Sequence, residues 1–159
     1  FIEGAKDMLT AAMVIAFFRC ILILAEDGKI IDTMLFYTSD LINDLPRVVA
    51  VQGMFFFQTL LNFFVPSGSG QAALTMPIMA PLSDLVGITR QTAVLSFQLG
   101  DGLSNMIIPT SGVTMGVLSI AKVPYQKWLK FALPLILLLT IVGIIALIPP
   151  TVLFYWGPI

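Results

Sequence analysis

The sequence predicts an all-α fold of polytopic transmembrane helices, with one re-entrant helical hairpin and one broken transmembrane helix. The chain is 58% hydrophobic and only 11% charged, whereas soluble domains have roughly 45–50% apolar and about 25% charged residues. Two of its apolar segments stop at a proline that is followed by hydroxyl residues and glycine. The distribution of basic residues between segments then indicates which connections share a membrane face. Together these observations predict an integral membrane protein.

One pattern occurs twice along the chain. A polar side chain, an asparagine and a proline follow at i, i+4 and i+8, near one helical face. The first copy has Gln58, Asn62 and Pro66, and the second begins with Asp101 and Asn105. Proline lacks a backbone N–H donor, and glycine can adopt the backbone angles of a tight turn. Each segment is therefore predicted to be a helix that stops, turns and continues as a second helix. Lipid does not tolerate unpaired backbone, so a matched pair of breaks indicates a secondary transporter's binding site.

Apolar runs and polar connections predict the remaining elements. Residues 8–25 would form about 27 Å of helix, which is enough to span a bilayer. Residues 30–44 mix acidic and apolar side chains, which is typical of a short helix at the interface. Two further spans are predicted over 91–121, broken at 109–112, and over 131–148.

The topology of the first break follows from the basic residues. The connection 122–130 carries three lysines and no acid, so the positive-inside rule predicts that it is cytoplasmic. If one crossing separates it from Arg90, then Arg90 lies outside. Arg47 lies on the same side if residues 48–87 enter and leave the membrane without crossing it. This predicts a re-entrant hairpin with its tip at 66–71, and two ordinary spans are the alternative.

Each break is expected to begin a new helix with a polar cap. Ser69 or Gly70 would cap the helix that starts near Gln71, and Thr110 or Ser111 the helix after the second break. A flexible Gly/Ser linker is the alternative for the first tip. Because this tip lies between apolar arms without flanking charge, we expect it to be buried and ordered.

The two breaks supply the candidate binding residues. A helix N-terminus offers free N–H groups to a substrate carboxylate, and the carbonyl end of a helix offers oxygen ligands to Na⁺. The candidate substrate- or ion-binding residues are Asn62, Ser67, Gly68, Ser69, Gly70, Asp101, Asn105, Pro109, Thr110, Ser111 and Gly112. The candidate Na⁺ site is near Asn62, Ser67, Asp101, Asn105 and Thr110. We expect no cofactor other than such a bound Na⁺.

Asp101 is the most unusual of these residues, because it is a carboxylate between two glycines in an apolar segment. Intramembrane acids are costly and usually functional. Asp101 could bind a coupling cation, carry a proton or face a cationic substrate group, and a salt bridge to Arg19 is the alternative. For Asn62 and Asn105, direct ligation and hydrogen bonding to backbone near the break remain equal alternatives.

Several stretches resemble the anaerobic four-carbon-dicarboxylate carrier family, which also includes candidate basic amino-acid antiporters of the YfcC type. They are residues 62–81, residues 98–112, and residues 4–9 together with Glu26-Asp27-Gly28. The resemblance implies membership of the ion-transporter superfamily, in which two inverted repeats each supply a hairpin and a broken helix. The tips meet around substrate and cation, and this chain would be the C-terminal repeat. Related carriers have Ser-Asn-Thr at the hairpin tip, where this chain has Ser67-Gly68-Ser69, so their cation ligands are not carried over.

We therefore expect residues 1–159 to form a single membrane domain, a fragment of a larger transporter in the bacterial inner membrane. The expected function is secondary active transport of a small carboxylate-bearing solute, a dicarboxylate or an amino acid, coupled to Na⁺, H⁺ or exchange. The expected partners are that substrate, membrane lipid, the missing N-terminal half and further copies in a homo-oligomer. The net charge of −1 gives no indication of nucleic acid.

Two other functions compete with transport. Gly100-Asp101 resembles the Gly-x-Gly-Asp signature of intramembrane aspartyl proteases, but Gln98 replaces the first glycine and no clear second intramembrane aspartate follows. The chain also lacks histidine, the commonest general base. A non-transporting assembly subunit would not explain two matched breaks. We therefore expect that the protein is not an enzyme.

Overall fold

The computed structural model describes residues 45–153 continuously, and before them positions 9, 13, 16, 17, 20, 23–25, 27–30, 33, 36, 37, 40 and 41. The predicted span 8–25 and the interfacial helix 30–44 fall largely outside the described residues, and Arg19 lies outside them. Over 45–153 the structure is all-helical, as expected. Its helices are α1 (Arg47–Phe64), α2 (Gly68–Val86), α3 (Arg90–Asn105), α4 (Gly112–Ile120), α5 (Tyr125–Ala146) and α6 (Ile148–Val152).

Helices α1 and α2 form a helical hairpin. At its open end, the guanidinium of Arg47 lies 3.1 Å from where a Cβ on Gly87 would stand. Nearer the tip, the Gln71 amide donates to the main-chain oxygen of Gln58 at 2.8 Å and to its side-chain oxygen at 2.7 Å. The two arms therefore run side by side, and their outer ends meet.

The tip of this hairpin is shorter than predicted. Only residues 65–67 are non-helical, because α2 already begins at Gly68. The prediction that Ser69 or Gly70 caps this helix is wrong. The cap is Ser67, whose side chain accepts a hydrogen bond from the Gly70 N–H at 3.3 Å. The glycines fall in the first helical turn, where N–H groups lack intrahelical partners in any case.

The second break begins earlier than predicted. We expected it at 109–112, but α3 ends at Asn105. Pro109 has no N–H to donate to the carbonyl of Asn105, four residues earlier. The Thr114 hydroxyl donates to that carbonyl instead, at 2.7 Å. The expected cap is present at the other side of the break, since the Ser111 side chain accepts from the Thr114 N–H at 3.5 Å.

The core lies where α3 crosses the hairpin, and α1 packs most extensively against α3. A Cβ on Gly100 would stand 2.9 Å from the Gln58 Cβ and 3.0 Å from the Phe55 carbonyl oxygen. Glycine at position 100 therefore lets the two backbones approach closely. Met54, Phe55, Leu61, Met79 and Leu82 fill the core around this crossing.

Helix α5 contacts α1 near the open end of the hairpin. The Gln52 amide on α1 donates to the carbonyl of Ile144 on α5 at 2.9 Å. Within the described residues, two helical stretches are long and apolar enough to cross a membrane, Arg47–Phe64 and Tyr125–Val152. The second contains the predicted span 131–148, and much of its apolar surface is exposed.

The close contact of α3 with α1 predicts that substitutions at Gly100 and at Gly102 differ in their effect on stability. Gly100→Ala should destabilise the full-length protein by roughly 1–3 kcal/mol, because its Cβ meets backbone atoms that cannot move aside. Gly102→Ala is the matched control, since among the described residues no atom outside its own helix backbone lies within 4 Å of its Cβ position. The midpoint of thermal unfolding in detergent should fall for Gly100→Ala only. Equal midpoints for both variants would contradict the described crossing.

Candidate functional site

The two breaks meet through the side chain of Asn62. This residue is fully buried on α1, one turn before the hairpin tip. Its amide donates to the main-chain oxygen of Asp101 at 3.1 Å and to the Ser104 hydroxyl at 2.8 Å, both on α3. Residues from the two copies of the repeated pattern are thus brought into one hydrogen-bonded cluster.

The carboxylate of Asp101 lies between this cluster and the hairpin tip. Its Oδ1 accepts a hydrogen bond from the Asn105 amide at 2.8 Å. Its Oδ2 lies 3.1 Å from the position that a Cβ on Gly68 would occupy. Because Gly68 is the first residue of α2, the carboxylate faces the partial positive charge of a helix N-terminus.

The charge of Asp101 is not balanced by a basic side chain in the part of the chain that the structure describes. Its side chain is half-buried, and its one hydrogen-bond partner there is the Asn105 amide. Arg90 pairs instead with Asp84 at 2.6 Å, and Arg47 lies at the open end of the hairpin. The predicted alternative partner, Arg19, lies outside the described residues.

The main-chain carbonyls at the end of α3 and just after it accept hydrogen bonds from side chains further along the chain. Thr114 donates to the carbonyl of Asn105, the Trp128 indole donates to Met106 at 2.9 Å, and the Tyr125 hydroxyl donates to Ile107. From the sequence, the connection 122–130 was considered only for its three lysines, and Tyr125 and Trp128 were not expected at the break. Their polar atoms were the missed signal, because a partly buried Tyr or Trp usually finds a hydrogen-bond partner.

Four buried polar atoms near the breaks lack a hydrogen-bond partner within the described residues. They are Asn62 Oδ1, Thr110 Oγ1, Gln58 Nε2 and Gln71 Oε1. Leaving such atoms unpaired costs free energy, so each is suited to receive a ligand atom or a water. Two of the four, on Asn62 and Thr110, belong to residues that the sequence singled out.

The other predicted site residues are distributed around these two. Ser67 caps α2, and Ser69 and Gly70 are exposed in its first turn. Pro109 and Thr110 lie inside the second break, Ser111 caps α4, and Gly112 is its first residue. Over the described residues, no group of three or more His, Cys, Asp or Glu side chains could hold a metal ion. A Na⁺ site would need amide, hydroxyl and backbone oxygens, and it stays a prediction.

Fold and site together describe the class: an all-helical domain, compatible with a membrane transporter, with paired helix breaks near one acid. The particular family follows from comparison. The profile described as "DcuC: C4-dicarboxylate anaerobic carrier" matches residues 1–151, and the chain belongs to this family. Membership of a carrier family makes this an integral membrane protein.

Two curated relatives agree with the family. The chain is 43% identical over 160 residues to "Putative basic amino acid antiporter YfcC" of Escherichia coli (strain K12), a match that covers 98% of this chain and 32% of that protein. It is 36% identical over 148 residues to an "Uncharacterized protein" of Haemophilus influenzae (strain ATCC 51907 / DSM 11121 / KW20 / Rd), covering 93% and 29%. The chain thus spans about a third of the length of these relatives. No solved structure matches the chain.

The Asn62 contact predicts the effect of an isosteric change. Asn62→Asp replaces the donating amide nitrogen with an oxygen, which would face the Asp101 main-chain oxygen and the Ser104 hydroxyl. We therefore expect the free energy of unfolding to fall by about 1–3 kcal/mol. Gln91→Glu is the control, because it makes the same amide-to-acid change at an exposed position in the first turn of α3, where an acid is favoured. Thermal unfolding of both full-length variants in detergent measures the difference. An unchanged midpoint for Asn62→Asp would show that this contact does not join the breaks.

Proposed function

We propose that the whole protein is a secondary active transporter of amino acids that carry a cationic side chain, and that the two breaks form part of its substrate site. The observation that carries this proposal is the Asp101 carboxylate, which faces the hairpin tip with Oδ2 unbonded within the described residues. Matched helix breaks at one site are typical of secondary transporters. Family membership supports the same class.

The electrostatics of the site favour an amino acid over a dicarboxylate. A cationic substrate group would pair with Asp101, and the substrate carboxylate would accept hydrogen bonds from free N–H groups at the start of α2 or α4. A second carboxylate near Asp101 would instead be repelled. The name of the YfcC relative, a basic amino acid antiporter, supports this choice. A C4-dicarboxylate is the second candidate, supported by the family's description, and it would require cationic residues from the rest of the chain.

The same carboxylate suggests how transport is coupled. Asp101 is the one acid at the site among the described residues, so a substrate cation and a coupling cation would compete for it. Competition for one acid favours exchange, with H⁺ or Na⁺ as the counter-ion. Asn62 Oδ1 and Thr110 Oγ1 are unpaired oxygens that would suit Na⁺. The protease alternative would need a second acid beside Asp101, and Asp84 is instead paired with Arg90 at the other end of α2.

We further propose that α1 and α2 are a re-entrant hairpin and that the rest of the chain supplies an inverted repeat. The tip contacts α3 at Asp101, about 17 Å of helix rise from Arg90, whereas a full crossing needs about 30 Å. A tip at this depth is near the middle of the bilayer, where irregular backbone must face protein or water. The bacterial inner membrane and a homo-oligomeric state are part of the same proposal.

An isostere of L-arginine without the side-chain charge tests the role of Asp101 in recognition. Full-length protein in liposomes should exchange L-arginine in preference to L-citrulline, which has nearly the same shape but no cationic side chain. Asp101→Asn should reduce L-arginine exchange about tenfold or more, because a hydrogen bond to a charged group is lost. L-citrulline exchange should change little. A retained preference in Asp101→Asn would assign the carboxylate to coupling or structure rather than to substrate contact.

The proposed topology predicts opposite sides for two exposed glutamines. Gln91→Cys and Gln126→Cys, each in a cysteine-free background, place a thiol at either end of the α3–α4 segment. An impermeant maleimide should label position 126 from the cytoplasmic side and position 91 from the other. Labelling of both from one side would show that this segment does not cross once. The native Cys20 must be replaced first, because it is exposed.

A further inference from the structure

Gly68 is a glycine at a position where the backbone does not require one. Within the described residues, the left-handed region is occupied by Gly87, Lys29 and Lys122, and not by Gly68. Gly68 is instead the first residue of helix α2. Glycine is among the least favourable residues in a helix, so its presence here needs another explanation.

That explanation is the space beside Asp101. A Cβ at position 68 would stand 3.1 Å from Asp101 Oδ2 and 3.8 Å from its Cγ, and no other atom of the described residues outside the neighbouring backbone comes within 4 Å. A side chain at this position would therefore cover the one carboxylate oxygen that Asn105 leaves free. We propose that Gly68 is a specificity-determining residue, which keeps Asp101 Oδ2 open and whose size sets the size of the cationic group admitted. This inference rests on the proposed function.

The carboxylate cannot readily move away from a larger residue 68. Its other oxygen is held by the Asn105 amide at 2.8 Å, and its main-chain oxygen accepts from Asn62 at 3.1 Å. Rotating the carboxylate would break the first of these bonds. A methyl group added at position 68 would thus remain over Oδ2, and a branched side chain would cover it further.

Another glycine provides a matched control. Gly102 is adjacent to Asp101 in sequence, yet among the described residues no atom outside its own helix backbone lies within 4 Å of its Cβ position. A substitution at position 102 should leave the carboxylate open.

Chemical labelling of Asp101 tests the inference without any substrate. Full-length protein is treated with dicyclohexylcarbodiimide, and modification of Asp101 is followed by mass spectrometry. Labelling should be slowest in Gly68→Val, intermediate in Gly68→Ala, and unchanged in Gly102→Val. Equal rates in Gly68→Val and wild type would overturn the proposal, as would a wild-type Asp101 that the reagent does not reach. Thermal unfolding of each variant in detergent checks that it is folded before the labelling rates are compared.

Transport separates this inference from the proposed function. Relative to wild type, Gly68→Val should reduce L-arginine exchange about tenfold or more, the effect expected for a lost charged hydrogen bond, while Gly102→Val should not. If wild type does not exchange L-arginine, the proposed function fails, and exchange of succinate instead would favour the dicarboxylate. If wild type exchanges L-arginine and Gly68→Val does so equally well, the role of Gly68 fails while the proposed function stands.

Discussion

The hydrogen bonds of the Asn62 amide are the contacts on which the rest of the site depends. They join the end of α1 to α3 across a fully buried interface. A buried amide without these acceptors would be costly, so the hairpin and the broken helix are held in one register. That register brings the first residue of α2 to the carboxylate of Asp101. Gly100 permits it, because the two backbones touch where any other residue would intrude.

The repeated Asn-x-x-x-Pro spacing has a direct physical meaning. In a continuous helix, the N–H of residue i bonds the carbonyl of residue i−4, so each proline withdraws the donor from the asparagine four residues earlier. In the second copy, the Thr114 hydroxyl donates to the Asn105 carbonyl in place of the missing N–H, and the Asn105 side-chain amide donates to the Asp101 carboxylate. In the first copy, the Asn62 side chain turns to α3. One sequence pattern therefore both breaks a helix and directs an amide towards the site.

Local patterns in the sequence predicted the helical class, the two breaks and a cap at Thr110 or Ser111. They did not predict where α2 begins or where α3 ends, and the carbonyls at the end of α3 are bonded by donors from elsewhere in the chain. Tyr125 and Trp128 lie a whole helix away from the carbonyls they bond. The Gln58–Gln71 pair and the contact of Asn62 with Ser104 are tertiary, and spacing along one helix cannot indicate them. The cap at Ser67 was missed because the four serine and glycine residues 67–70 favour a loop by composition.

The functional account depends on one acid beside a helix N-terminus. In the proposal, the Asp101 carboxylate pairs with a cationic substrate group, so the proposed substrate is a cation-bearing solute rather than a plain anion. The family description and the name of the YfcC relative differ on the substrate, and our proposal follows the second. The most direct measurement is an experimental structure of the full-length protein with L-arginine bound. The account predicts a cationic nitrogen of L-arginine within about 3 Å of Asp101 Oδ2, next to Gly68. L-arginine bound away from both breaks, or with its carboxylate against a displaced Asp101, would contradict it.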